Sequence, residues 1–216
     1  MRRSAAVSIS LAMGLVVGLA GCGLVGKGSP KLELPRINLV AVLPIERAPE
    51  SPQPRAVTVE VASEPLAPDA QRVVTAQIYG VMAASPEWRF VPDLVVDQAL
   101  RDVAPDTSLT QRALLLGKAV GADGVIYGTV SRYRERRGTE LGARHPASVS
   151  FRLALLSVAT EKTVWQESFD QTQQALSSNL FDWWMFWRAG PHWFSAEELT
   201  HLGVEKLLDN LRQRLD

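Results

Sequence analysis

Three histidines, a single cysteine and scattered carboxylates are the residues of this 216-residue chain from which acid–base, nucleophilic or metal chemistry could be built. His201 follows Glu198 by three positions and Glu197 by four, so on a helix the imidazole shares a face with a carboxylate. E-x-x-H is half of a di-iron carboxylate arrangement, and a working centre needs a second half with glutamates from other helices. The alternative is an ion pair or a solvated face on one helix. His145 sits between Arg144 and Pro146 in a polar stretch and has no evident role, while His192 adjoins Trp193. Asp93, Asp97, Asp102 and Asp106 read as a helix cap and solvated positions rather than as an acid/base pair. Asp123 stands beside Gly124 at the head of an apolar run, where a turn or cap is expected. Arg132, Arg134, Arg136 and Arg137 suit the charged end of a hairpin, or a contact with acidic phospholipid, lipopolysaccharide or an acidic partner. G-x-S-x-G, P-loop and H-E-x-x-H patterns are absent from the sequence. Gly21-Cys22-Gly23-Leu24-Val25-Gly26 fits G-x-G-x-x-G letter by letter, but no strand precedes it to set a pyrophosphate on a helix terminus. The expectation is no catalytic residue, no metal and no cofactor.

The least ordinary stretch is aromatic. Leu180-Phe181-Asp182-Trp183-Trp184-Met185-Phe186-Trp187 is followed by Pro191-His192-Trp193-Phe194. Wound as a helix, Leu180, Trp184 and Trp187 share a face while Phe181, Met185 and Phe186 crowd the others, so one contact with a sheet cannot bury them all. Phe181, Trp183, Trp184, Phe186, Trp187, Trp193 and Phe194 are therefore candidate interface residues, for a partner hot spot or a bilayer headgroup zone. The competing reading is an aromatic lid folded over the domain's own sheet, and the sequence leaves both open.

Elements that could position these residues follow from periodicity. Ile37–Leu43 is a nearly continuous apolar run ended by Pro44, as in a strand buried on both faces. Val57–Val61 alternates between prolines as an exposed edge strand would. Asp69 can cap a helix reaching Ala84, Trp88–Val91 predicts a short strand, and Asp93 starts a helix to Val103. Ser108-Leu109-Thr110-Gln111 is a capping box opening a third helix that stops at Gly121. Ala122–Val130 is a buried-strand pattern that turns charged from Arg132 as it leaves the core. After a polar loop, Val149, Phe151, Leu153 and Leu155 alternate along a long strand, and Val164–Phe169 returns antiparallel past a tight connection at 159–162. Ser195-Ala196-Glu197-Glu198 is another capping box, opening a helix whose Leu199, Leu202, Gly203, Leu207, Leu208 and Leu211 face the sheet. The fold class is α/β: a single mixed sheet, parallel crossovers first and antiparallel hairpins second, flanked by helices.

Composition bounds the rest. With 46% hydrophobic and 21% charged residues the chain can bury an ordinary core. Lysine plus arginine and aspartate plus glutamate both total 23, so the basic surplus of a nucleic-acid-binding domain is missing. One cysteine excludes an intramolecular disulfide and a thiolate-rich metal site. Arg2 and Arg3 precede an apolar run from Ala5 to Ala20, matching a secretory signal and too short and glycine-rich for a membrane span.

Leu19-Ala20-Gly21-Cys22, directly behind that run, resembles the lipobox of bacterial lipoproteins. The resemblance implies cleavage after Gly21, a diacylglycerol on the Cys22 sulfur and an acyl chain, such as palmitate, on the new amino group. A single chain anchors marginally at roughly 0.8 kcal/mol per methylene, whereas three would hold almost irreversibly. The division expected is a signal peptide over 1–21, a tether over 22–35 and an α/β periplasmic domain over 36–216. Gly23 in place of an inner-membrane retention aspartate implies the outer membrane, on its periplasmic face.

Val40-Ala41-Val42-Leu43-Pro44, the segment Gly121–Val130 and the hairpin of Leu155 to Trp165, together with the lipobox, resemble periplasmic lipoproteins of the CsgG, LpoB and TolB-amino-terminal-like group. That group includes a curli-secretion channel and activators of penicillin-binding proteins, and its members are generally not enzymes. The resemblance implies a non-catalytic interaction protein in envelope assembly or maintenance, with an envelope protein partner and the membrane reached through the lipid. An accessory subunit of a secretion or export assembly is the alternative, and a periplasmic hydrolase a further one. Pore formation is not expected, because neither 134–147 nor 171–179 supplies strands of about ten alternating residues.

Overall fold

The chain's computed structural model describes residues 36–49, 66–104, 106–139, 142–173 and 193–215, all within the compact unit Leu34–Asp216. The apolar run ended by Pro44 becomes strand β1 (Val40–Val42), shorter than predicted, followed by the two-residue β2 (Glu46–Arg47). The predicted edge strand at Val57–Val61 lies outside the described residues. Helix α1 (Ala70–Ala84) has the predicted bounds, but its Asp69 makes no side-chain capping bond. The strand expected at Trp88–Val91 is reduced to one parallel bridge between Val40 and Phe90, because β1 offers a single residue there before the chain turns into α2 (Asp93–Leu100).

Helix α3 (Leu109–Val120) begins and ends as its sequence signals require. Ser108 Oγ accepts the Gln111 N–H, and Gly121 closes the helix at φ 67°, a left-handed conformation that costs glycine no Cβ clash. Strand β3 (Gly124–Arg134) outruns its expected end by four residues. It continues because Tyr133 still points into the core, while a register shift between Val130 and Arg132 re-aims the charged residues. In place of the expected polar loop there is a short hairpin, β4 (Arg137–Thr139) with β5 (Gly142–His145). Strands β6 (Ser148–Ser157) and β7 (Lys162–Thr172) form the predicted long hairpin, and α4 (Ala196–Leu215) follows.

The main sheet runs β1-β3-β6-β7, with β2 also on β3. β1 and β2 pair with β3 in parallel, and β3–β6 and β6–β7 are antiparallel. This is the mixed sheet expected from the sequence. Alternation then sorts side chains onto two faces. Val40, Val42, Ile126, Phe151, Leu153 and Leu155 join α1 and α4 in one core cluster, whereas Ala41, Leu43, Val125, Tyr127 and Leu156 meet α2 and α3 in the other. All six residues predicted to turn α4 to the sheet are buried, and a fully buried leucine contributes about 1.5–3 kcal/mol. Helix and sheet approach closely at Gly203: an added Cβ would lie 2.6 Å from Cδ1 of Phe169.

Candidate interaction site

The start of α4 shows how local sequence sets the site. Ser195 and Glu198 cap reciprocally: the Ser195 N–H donates to Glu198 Oε2 at 2.7 Å, and the Glu198 N–H donates to Ser195 Oγ at 3.1 Å. Two of the helix's otherwise orphaned donors are thereby satisfied. A third, the Ala196 N–H, donates to Glu135 Oε2 at 3.1 Å, which fixes the helix start to the end of β3. Immediately before the cap, the Arg136 guanidinium (Nη1) donates to the Trp193 carbonyl, and the Phe194 N–H donates to Gln173 Oε1 at 2.6 Å. Gln173 is itself held at the end of the hairpin, its own N–H donating to the Ala147 carbonyl at 3.1 Å.

The two described residues flanking 174–192 are therefore brought to one place. Phe194 is 4% exposed and belongs to the core, so its ring is turned into the domain, while Trp193 is half-buried. Phe181, Trp183, Trp184, Phe186 and Trp187 lie outside the described residues, as does Cys22. Trp165, the tryptophan of β7, is a core residue.

Beside this junction, Tyr133 is buried next to Glu135. Burial first, then the charges of Glu135, Asp69 and Glu197 and a hydrogen bond to Glu135, hold its phenol well above the ordinary tyrosine range. A cleft of about 270 Å³ opens there, lined by Tyr133, Glu135, Arg132 and Arg134 with Leu66 and Ala67. Arg132 donates through Nε to Ser148 Oγ at 2.6 Å and through Nη2 to Asp170, so it ties β3 to its neighbours across the sheet.

Asp123, His201, Glu197 and Asp93, among the groups singled out for chemistry, are engaged in structural bonds. Asp123 Oδ2 accepts the N–H groups of Asn38 and Leu39, each at 3.0 Å, and so caps the entry to β1. His201 Nδ1 meets Gln77 Oε1 at 2.9 Å, and Gln77 Nε2 donates to Glu197 Oε1 at 3.2 Å. Glu197 and His201, one turn apart, thus clamp α4 to α1 through one glutamine, while Glu198 of the E-x-x-H pattern is engaged in the cap. Among the described residues there is no cluster of three or more histidine, cysteine or carboxylate side chains placed to hold a metal ion, and no helix long and apolar enough to cross a membrane. Asp93 Oδ1 accepts the Leu94 N–H at 2.8 Å, a first-turn role close to the predicted cap. Gln173 and Glu135 were not legible as site residues, because a glutamine in a polar strand end and a glutamate among arginines carry no periodic signal.

No family model matches the chain, and no curated protein matches it. Solved structures do. The PelC dodecamer from Paraburkholderia phytofirmans is similar at 16% identity and TM-score 0.45, over 83% of this chain and 90% of that one. Lipoprotein GNA1162 from Neisseria meningitidis is similar at 19% identity and TM-score 0.45, over 70% of this chain and 92% of that one. The LpoB C-terminal domain from Escherichia coli is similar at 13% identity and TM-score 0.42, over 64% of this chain and 85% of that one.

Proposed function

We propose that this chain is the precursor of a lipid-anchored lipoprotein on the periplasmic face of the outer membrane, acting by binding another envelope component and not by catalysis. The observation that carries the reading is Leu19-Ala20-Gly21-Cys22 placed directly behind a charged start and an apolar run. The geometry is in keeping with it. Asp123, Glu197, Glu198 and His201 serve the framework, and the segment bearing Phe181, Trp183, Trp184, Phe186 and Trp187 is joined to that framework at Gln173 and Phe194. Aromatic rings on a firmly held base suit recognition of a protein partner, since large rigid side chains contribute contact area at small entropic cost.

Mass spectrometry of the protein purified from bacterial membranes tests the anchor. The expected product begins at Cys22 and carries a diacylglycerol and an N-acyl chain, and Cys22→Ser removes all three acyl groups and cleavage after Gly21. An unmodified thiol at Cys22 in the membrane-derived protein would refute the reading. Density-gradient separation of the two membranes then places the lipidated form, with the outer-membrane fraction as the expected result.

A further inference from the structure

A second cleft, about 450 Å³, lies away from the aromatic junction. Three separate parts of the chain wall it: Arg36, Ile37 and Asn38 before β1, Glu87, Trp88 and Arg89 between α1 and α2, and Arg212 with Leu215 in the last turn of α4. The single Val40–Phe90 bridge creates this arrangement. Val40 N–H donates to the Arg89 carbonyl and Val91 N–H to the Val40 carbonyl, each at 2.9 Å, so Phe90 turns to the core while Arg89 stays at the surface.

The charges are unbalanced. Among the described lining residues Glu87 is the only acidic side chain; it pairs with Arg212 at 2.6 Å, and Asp209 on α4 stands 3.8 Å from the same guanidinium. Among the described residues, Arg36 and Arg89 have no ion pair or side-chain hydrogen bond, and both are exposed. A helix C-terminus carries partial negative charge, and Arg212 and Arg214 in the last turn of α4 offset it. Guanidinium forks pair bidentately with the oxygens of a phosphate, whose tetrahedral arrangement lets arginines approach from different sides, where a planar carboxylate holds its two oxygens in one plane. The half-buried Trp88 gives the cleft an amphipathic wall.

We propose that this cleft is a binding site for a phosphate group, with Arg36 and Arg89 as its principal ligands and Arg212 joining them when Glu87 yields. The phosphate belongs to a phospholipid headgroup or to a free phosphate ion. The site stands apart from the lipid anchor, since neither the arginines nor their geometry depend on Cys22.

The test uses the full chain purified in a neutral detergent. One arm titrates inorganic phosphate at low ionic strength, and the other adds phosphatidylglycerol, with phosphatidylcholine as its zwitterionic control, to the micelles. Arg36→Gln with Arg89→Gln, both at exposed positions, is expected to weaken binding at least tenfold with unchanged thermal stability. Arg101→Gln, outside the cleft, should leave binding unaltered. Glu87→Gln supplies a variant in the opposite direction, and its removal of a carboxylate from the lining should tighten binding. Saturable phosphate binding that displaces phosphatidylglycerol assigns the free ion as a ligand, and binding of phosphatidylglycerol alone assigns the headgroup. Absence of arginine-dependent binding in both arms overturns the proposal, and so does an equal loss from Arg101→Gln. Either result leaves the mass of Cys22, and with it the anchor, to be judged separately.

Discussion

The backbone N–H of Phe194 donates to Oε1 of Gln173 at 2.6 Å, closing the residues on either side of 174–192 into a single clasp. Gln173→Ala removes the acceptor from a half-buried donor, and the expected loss is about 1 kcal/mol, near the centre of the range for such bonds. Amide exchange at Phe194 should quicken about fivefold, read by hydrogen–deuterium exchange. Gln173→Glu keeps an acceptor oxygen and should stay close to the native rate. Unchanged exchange in Gln173→Ala would mean that the clasp contributes nothing.

Gly203 and Phe169 define how closely α4 can lie on β7. A Cβ at position 203 would stand 2.6 to 2.8 Å from three atoms of the Phe169 ring, so either the ring or the helix must move. Gly203→Ala is expected to destabilise the domain by about 1–3 kcal/mol in chemical denaturation, the ordinary cost of overpacking. Combining it with Phe169→Leu, which withdraws the ring, should cost less than the two single losses together. Strict additivity would show that the clash is absorbed elsewhere.

Alkaline pH should unfold the domain through two tyrosines. Burial, followed by the charges of Asp93 and Asp97, raises the Tyr79 phenol, and burial with Glu135 foremost among the charges raises Tyr133. In the unfolded chain both ionise near the ordinary value of about 10. Their contribution is thus complete below that pH and declines as pH rises above it, because the unfolded state then releases protons that the folded state retains. Midpoints of thermal unfolding measured from pH 9 to 11.5 should fall, and Tyr79→Phe or Tyr133→Phe should flatten the fall. An equally steep decline in both variants would exclude these groups as its source.

The two readings of the aromatic stretch separate on stability. Replacing Trp183, Trp184 and Trp187 with serine should change the melting temperature by no more than a few degrees if these rings serve a partner, and pull-down of that partner after in-cell crosslinking should be lost. A drop of ten degrees or more would identify them as a lid over the domain's own sheet.

The framework was legible wherever a local signal suffices. Ser108 and Ser195 cap the helices their sequences announce, Gly121 ends α3, and the alternation of Phe151, Leu153 and Leu155 gives the buried face of β6. Signals failed where a residue's role depends on a neighbour far along the chain. Asp123 was readable as a cap, but its recipients at Asn38 and Leu39 lie 85 and 84 residues away. The Glu197–His201 spacing suggested a shared helix face, and Gln77 from another helix turned that face into a clamp. The Trp88–Val91 segment has strand composition, yet β1 provides it only one bridge. Arg36, Arg89 and Arg212 carry no common spacing at all, and only the meeting of β1, the α1–α2 connection and α4 gathers them.

By its sequence separation, the parallel contact between β1 and β3 is expected to form after the antiparallel pairings. Hairpin β6–β7 and the antiparallel pairing of β3 with β6 close short loops, whereas Val40 can find Gly124 only after the intervening helices have been passed. The antiparallel half can therefore nucleate first and offer β3 as a template, and β1 docks on it late. Until that happens, Asp123 has no backbone amides to receive, and the apolar Val40–Leu43 run remains exposed to whatever holds the nascent chain.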